Sequence, residues 1–103
     1  MERKEKLDKI KKIILQEIDV EAIVLFGSYA RNRERPESDI DIAIKPIENI
    51  EKAELIKIQN KIEEVIDTDL HLINLNTIEE DFRYDILISG KTLYAKEEVE
   101  FIE

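Results

Sequence analysis

The chain has 103 residues, a net charge of −9, 43% hydrophobic and 40% charged residues, and no cysteine. Its length predicts one domain over 1–103. No apolar run approaches the ~18 residues of a membrane span, and the absence of cysteine excludes disulfides and thiolate metal sites. The acidic balance argues against a direct nucleic-acid surface. With no secretory signal, we expect a cytoplasmic protein, and the charge-rich, cysteine-free composition is typical of a thermophile.

The periodicity of apolar residues predicts helices alternating with strands, an α/β (α+β) chain. Leu7, Ile10 and Ile14 follow helical spacing, for example, whereas 39–45 has isoleucine at every second position, which gives a strand with one apolar face. Only the termini, 1–4 and 97–103, are expected to be loose. The predicted elements in chain order are helix 3–18, strand 21–26, short helix 28–33, strand 39–45, helix 48–66, strand 69–73, a helix capped by Thr77 and running through Leu87, and a short strand at 92–94.

The strand at 39–45 carries Asp39 and Asp41 two positions apart. Successive side chains of a strand point to opposite faces, so both carboxylates are expected on one face. Two close carboxylates repel each other unless a cation lies between them or one is protonated. Mg²⁺ takes such oxygen ligands together with waters and substrate phosphates. The alternative is two solvated aspartates on an open strand face.

Gly27 and Ser28 follow the first strand directly, and Gly27 is one of only two glycines. Glycine permits a positive φ and the close approach of a phosphate to the backbone. Ser28 is predicted to be the N-cap of the short helix, whose N–H groups favour anions. The alternative is an ordinary strand-to-helix turn. Arg31, one helical turn later, could bind phosphate or make surface ion pairs.

Gly27-Ser28, ten further residues and Asp39-Ile40-Asp41 together resemble the motif of the nucleotidyltransferase superfamily typified by DNA polymerase beta. The surrounding LFGSYARNRERPESDIDIAI is similar to the minimal prokaryotic branch, the MNT proteins. The resemblance continues through Asp69 to ISGKTLYA, over about residues 8 to 95. It implies the nucleotidyltransferase fold, a small mixed β-sheet flanked by helices.

The resemblance also implies the chemistry: transfer of a nucleoside monophosphate from a triphosphate, ATP by default, to a hydroxyl. Asp39 and Asp41 would bind Mg²⁺, and two ions would stabilise the attacking and leaving oxygens. Asp69 would be the third catalytic and metal-binding carboxylate and would help deprotonate the acceptor. Gly27 and Ser28 would hold the β and γ phosphates, with Arg31 as a further nucleotide-binding candidate.

Two residues near Asp69 leave alternatives open. Asp67 is a rival for the third carboxylate, although Leu70 and Leu72 continue the strand directly from Asp69. His71 shares the face of Asp69 by alternation and could contact a metal, a phosphate or the acceptor. A lone histidine in a strand is more often structural, which is the interpretation we favour.

The motif does not identify the molecule that accepts the transferred nucleotide. The minimal branch resembles the antitoxins of HEPN/MNT toxin–antitoxin pairs, which implies transfer of AMP from ATP to a tyrosine of a partner HEPN ribonuclease toxin. An acidic protein that docks a basic RNA-cleaving partner is electrostatically reasonable. One alternative is a non-catalytic antitoxin that acts by binding alone. Another is a small-molecule, antibiotic-type nucleotidyltransferase whose pocket is completed in a homo-oligomer.

Overall fold

The computed structural model describes residues 1–96, so the predicted loose segment 97–103 lies outside the described part. The predicted order of four helices alternating with four strands is confirmed. None of the helices in the described part is long and apolar enough to cross a bilayer. The elements are α1 (Arg3–Glu17), β1 (Val20–Phe26), α2 (Gly27–Ala30), β2 (Ile40–Pro46), α3 (Lys52–Ile66), β3 (Leu70–Asn74), α4 (Glu80–Ser89) and β4 (Lys91–Ala95).

The four strands form one mixed sheet in the order β3-β2-β1-β4. β1 runs antiparallel to both β2 and β4, whereas β2 and β3 are parallel. Parallel neighbours need a long crossover, which α3 provides here. The predicted α/β class, a small mixed sheet flanked by helices, is confirmed.

The two faces of the sheet bury different sets of side chains, as strand alternation requires. α1 and α3 cover the first face, and α4 covers the second. The first core includes Ile10, Ile14, Ile23, Leu25, Ile40, Ile42, Ile44, Ile58, Ile62, Ile66, Leu70 and Leu72. The second core is smaller and contains Val24, Ala43, Leu75 and Ile86. Because the second face is less filled, polar groups at its end remain accessible.

α3 begins later than the sequence predicted, at Lys52 rather than at residue 48. Ile50 packs against the first core as a partly buried residue. Glu51 is extended, and its carbonyl accepts hydrogen bonds from the N–H groups of Glu54 and Leu55. The helix therefore begins only after Ile50 has reached the core.

The predicted N-cap of the last helix is also wrong. Thr77 donates its hydroxyl to the Asn74 carbonyl at 3.1 Å, which closes a turn after β3. The N-cap of α4 is Glu79, and the helix begins at Glu80. Thr77 uses its hydroxyl in a local bond that competes with helix capping.

Candidate active site

Three neighbouring strands place Phe26, Asp41 and His71 side by side across the sheet. Phe26 pairs with Asp41 in β1 and β2, and Asp41 pairs with His71 in β2 and β3. All three alternate with residues of the first core, so they lie on the α4 face. The end of the sheet therefore carries a carboxylate with an imidazole on one side and a phenyl ring on the other.

Asp41 and His71 contact each other directly. His71 Nδ1 lies 3.3 Å from Asp41 Oδ1, and the side chains are 59% and 24% exposed. Burial raises the pKa of the Asp41 carboxyl, the hydrogen bond and charge of His71 oppose this rise, and the charge of nearby Asp39 adds to it. His71 thus contacts a carboxylate of the candidate site, a partner that only the pairing of β2 with β3 reveals.

Gly27 packs its backbone against the Asp41 carboxylate. Its φ of 72° confirms the expected positive value. A Cβ at this position would collide with Asp41 Oδ2 and lie 3.0 Å from Cγ. Ser28, however, is not the N-cap: Phe26 occupies that position, and within the described residues no side-chain hydrogen bond caps α2. The turn is therefore shaped by Gly27 and leaves the Ser28 hydroxyl outside the capping geometry.

The segment between α2 and β2 is held mainly by its own backbone. Arg31 ends α2, and its N–H donates to the carbonyls of Gly27 and Ser28. The Arg31 side chain is exposed beside the turn. Ser38 Oγ accepts a hydrogen bond from the N–H of Arg35 at 2.8 Å, so Ser38 orders the approach to β2.

Arg3 connects α1 to the same turn. Its guanidinium donates to the Tyr29 carbonyl, lies 6.0 Å from the centre of the Tyr29 ring, and places Nε 3.1 Å from Glu34 Oε2. Burial and then the charge of Glu34 raise the pKa of Tyr29, and Arg3 opposes them. The prediction that residues 1–4 are loose is wrong for Arg3 and Lys4, which belong to α1.

Asp39 and Asp69 line one open cleft of about 390 Å³. The Ile40 N–H donates to the Asp69 carbonyl at 3.0 Å, so the two aspartates flank the first hydrogen bond between β2 and β3. Asp67 lines the same cleft, but it also ends α3 in a left-handed conformation with φ of 53°. That backbone role gives Asp67 a structural explanation that Asp69 lacks.

α3 fixes β3 through two side chains that sequence patterns did not identify. Glu63 Oε2 accepts a hydrogen bond from the Leu70 N–H at 2.7 Å, and Gln59 Oε1 accepts one from the Leu72 N–H at 3.2 Å. These N–H groups lie on the outer edge of the sheet, where they would otherwise lack partners. The two side chains therefore hold the strand that carries His71.

The donor chemistry of the site suits a hard divalent cation. Asp39 and Asp41 lie close enough together for the charge of Asp39 to raise the pKa of Asp41. Both carboxylates offer oxygen ligands. Among residues 1–96, no group of three or more histidine, aspartate or glutamate side chains is arranged to hold a metal ion. Mg²⁺ commonly uses only one or two carboxylates and takes its remaining ligands from phosphates and water. The pair therefore fits a metal that binds together with a phosphorylated substrate.

A family model described as polymerase beta, nucleotidyltransferase, matches residues 8–99. The chain belongs to the polymerase beta nucleotidyltransferase family. This confirms the resemblance drawn from Gly27-Ser28 and Asp39-Ile40-Asp41, and it makes the chain a nucleotidyltransferase domain.

Relatives of this nucleotidyltransferase carry a more specific name. Two proteins of Methanocaldococcus jannaschii, provisionally named protein adenylyltransferases, are each 40% identical over 77 residues, which are 75% of this chain and 79% of the relative. Protein adenylyltransferase MntA of Shewanella oneidensis is 26% identical over 92 residues, 88% of this chain and 66% of the relative.

Solved structures share the fold. A toxin–antitoxin crystal structure with AMP-PNP superimposes with a TM-score of 0.85 at 25% identity, covering 93% of this chain and 78% of the other. A tri-AMPylated Shewanella oneidensis HEPN toxin in complex with an MNT antitoxin gives a TM-score of 0.80 at 22% identity, covering 98% and 79%. The second likeness shows the nucleotidyltransferase fold.

Proposed function

We propose that this nucleotidyltransferase is a cytoplasmic protein adenylyltransferase antitoxin that moves AMP from ATP to a tyrosine hydroxyl of a partner HEPN ribonuclease toxin. The relatives named protein adenylyltransferases support the reaction. Neighbours described as toxin–antitoxin structures, one with AMP-PNP and one with an AMPylated HEPN toxin, support the donor and the partner.

The contact between Gly27 and Asp41 carries this proposal. A glycine with positive φ lets the backbone approach both a carboxylate and a phosphate at one point. In the proposed complex, Gly27 and Ser28 bind the β and γ phosphates, and the exposed Arg31 contributes positive charge beside them. His71 hydrogen-bonds Asp41 and thereby fixes the orientation of its carboxylate.

Asp39 and Asp41 would hold the Mg²⁺ ions together with the substrate phosphates, and Asp69, which lines a cleft with Asp39, would join them when the ions and the triphosphate bind. The bound ions would neutralise the charge of the triphosphate. The tyrosine oxygen forms a bond to the α-phosphorus while the bond from that phosphorus to the bridging oxygen breaks, and pyrophosphate leaves. Asp69 accepts the tyrosine proton, a role that its place in an open cleft permits.

The proposal is tested by incubating the protein with the HEPN-domain protein of the same organism, ATP and Mg²⁺, and weighing both chains by intact mass spectrometry. One or more AMP units should appear on the HEPN-domain protein. Asp39→Asn and Asp41→Asn should each abolish the addition while the protein stays folded. Asp8→Asn, on an exposed position of α1, is the matched control and should leave transfer intact.

Two results would replace this function. Neutralisation of the toxin by tight binding without a mass change, equally by Asp39→Asn, would establish a non-catalytic antitoxin. A nucleotide found on a small hydroxylated compound, with the HEPN-domain protein unchanged, would establish a small-molecule nucleotidyltransferase.

A further inference from the structure

α4 carries apolar side chains on the side that faces away from the sheet. Tyr84, Leu87 and Ile88 are 65%, 55% and 67% exposed, whereas Ile86 is buried in the second core. Positions i, i+3 and i+4 of a helix lie on one face. These three residues, which we call the α4 stripe, therefore form a continuous apolar surface without cover among the described residues.

The edge of the α4 stripe is acidic. Glu80, Asp81 and Asp85 are exposed on the same helix. The basic side chain of α4, Arg83, turns away from the surface: Nε donates to the Leu75 carbonyl at 2.9 Å and Nη2 to the Ile78 carbonyl at 3.2 Å. An apolar centre with negative charges around it suits an occupant with an apolar centre and positive charges around it.

α4 also borders the candidate active site. Phe82 meets Phe26 edge to face, with ring centroids 6.0 Å apart. Phe26 in turn lies 6.5 Å from the ring of His71, which bonds Asp41. A protein bound along α4 would therefore lie beside the row of strand ends that carries the reactive groups.

We infer that the α4 stripe docks the acceptor protein, a HEPN-type chain whose contacting surface places lysine and arginine around an apolar centre. The inference rests on the proposed function, because it supplies the surface by which the substrate protein is held. A second copy of this chain is a poorer occupant, since each copy carries a net charge of −9.

The test measures the affinity of the full-length protein for the purified HEPN-domain protein of the same organism. Leu87→Ser combined with Ile88→Ser should weaken binding at least about 30-fold, as loss of central apolar anchors does. Val65→Ser is the matched control, because Val65 is a 44% exposed aliphatic residue of α3. It should leave the affinity unchanged.

A second variant pair tests the charged edge. Asp81→Lys combined with Asp85→Lys should slow association about 10-fold at low salt and reduce its dependence on ionic strength. The melting temperature of the Leu87→Ser/Ile88→Ser variant should stay close to that of the wild type, because both side chains are exposed. The Asp81→Lys/Asp85→Lys variant should melt somewhat lower, because Asp81 lies in the first turn of α4, where a negative charge is favourable.

The outcomes separate this inference from the proposed function. AMP transfer with binding that is indifferent to both variant pairs would overturn the docking surface and leave the enzyme assignment intact. Binding that depends on the stripe, without AMP transfer, would support the surface and end the proposed transfer of AMP to the HEPN-type protein. A wild-type dimer that the Leu87→Ser/Ile88→Ser variant disperses would assign the stripe to a second copy. A large fall in melting temperature for that variant would show that the stripe is covered by its own chain. Either of these last two results overturns the inference.

Discussion

Gly27 and Asp41 are in such close contact that the Asp41 carboxylate leaves no room for a side chain at position 27. Gly27 has φ of 72°, and the space beside it is filled by the Asp41 carboxylate. Any L side chain at position 27 would meet two obstacles, backbone strain and this carboxylate. Glycine therefore allows the turn to lie directly on the acidic end of β2, where a nucleotide phosphate and its metal would meet.

Gly27→Ala should lower the free energy of unfolding by about 2 kcal/mol, because strain at positive φ and displacement of Asp41 act together. ATP binding, measured by calorimetry, should weaken in the same variant. Ser28→Ala is the control for stability, since it adds no Cβ and removes no capping bond. Wild-type stability of Gly27→Ala would show that the turn can adapt and that glycine is not required.

Asp41→Asn should change how stability depends on pH in the metal-free protein. The folded pKa of Asp41 is raised above 3.8, chiefly by burial, so the native state binds more protons than the unfolded state above that pH. The free energy of unfolding therefore loses a contribution as pH rises from 3.8 through the folded pKa.

Urea unfolding in EDTA at several pH values measures this loss, and the Asp41→Asn variant should not show it. Asp39→Asn should reduce the loss only slightly, because the charge of Asp39 raises the pKa of Asp41 less than burial does. If Asp41→Asn and the wild type gave parallel profiles, the carboxylate would be as well solvated in the native state as in the unfolded chain.

At the scale of elements, local patterns predicted which segments form helices and strands but not where α3 and α4 begin. The alternation of isoleucine with aspartate correctly predicted the two faces of β2. Ile40 and Ile42 belong to the first core, and Asp41 lies on the opposite face. The start of α3 depends on Ile50 reaching that core, a distant contact that no local periodicity contains. The place of His71 beside Asp41 likewise depends on which strand lies next to β2.

The contact between α3 and β3 gives a prediction at this scale. Glu63→Ala should lower the free energy of unfolding by about 1–3 kcal/mol, because the Leu70 N–H would lose its acceptor in a part-buried place. Glu64→Ala, at the next position and exposed, should change it by less than about 0.5 kcal/mol. Chemical denaturation of both variants measures the difference, and equal values would show that water replaces the Glu63 carboxylate at no cost.

At the scale of the whole molecule, the site draws on parts of the chain that are far apart in sequence. The motif predicted Gly27, Asp39 and Asp41, because their spacing is local. The sequence places Arg3 at the start of the predicted helix 3–18 and in the terminus expected to be loose, and no neighbouring residue indicates its partners. Its partners lie 26 and 31 residues away, at Tyr29 and Glu34.

Arg3→Gln should therefore destabilise the turn around Tyr29, which is distant from Arg3 in sequence but contacts it in the folded protein. Loss of the hydrogen bond to the Tyr29 carbonyl, together with the ion pair to Glu34, should lower the free energy of unfolding by about 1.5–3 kcal/mol, the range of a hydrogen bond to a charged group. ATP affinity should fall as well, because Tyr29 lies two residues after Gly27 in the same short helix. Lys4→Gln removes the same charge from an exposed neighbouring position and should leave both quantities near their wild-type values. If the two variants behaved alike in thermal unfolding and ATP titration, the effect of Arg3 would be one of net charge, and α1 would not hold the turn.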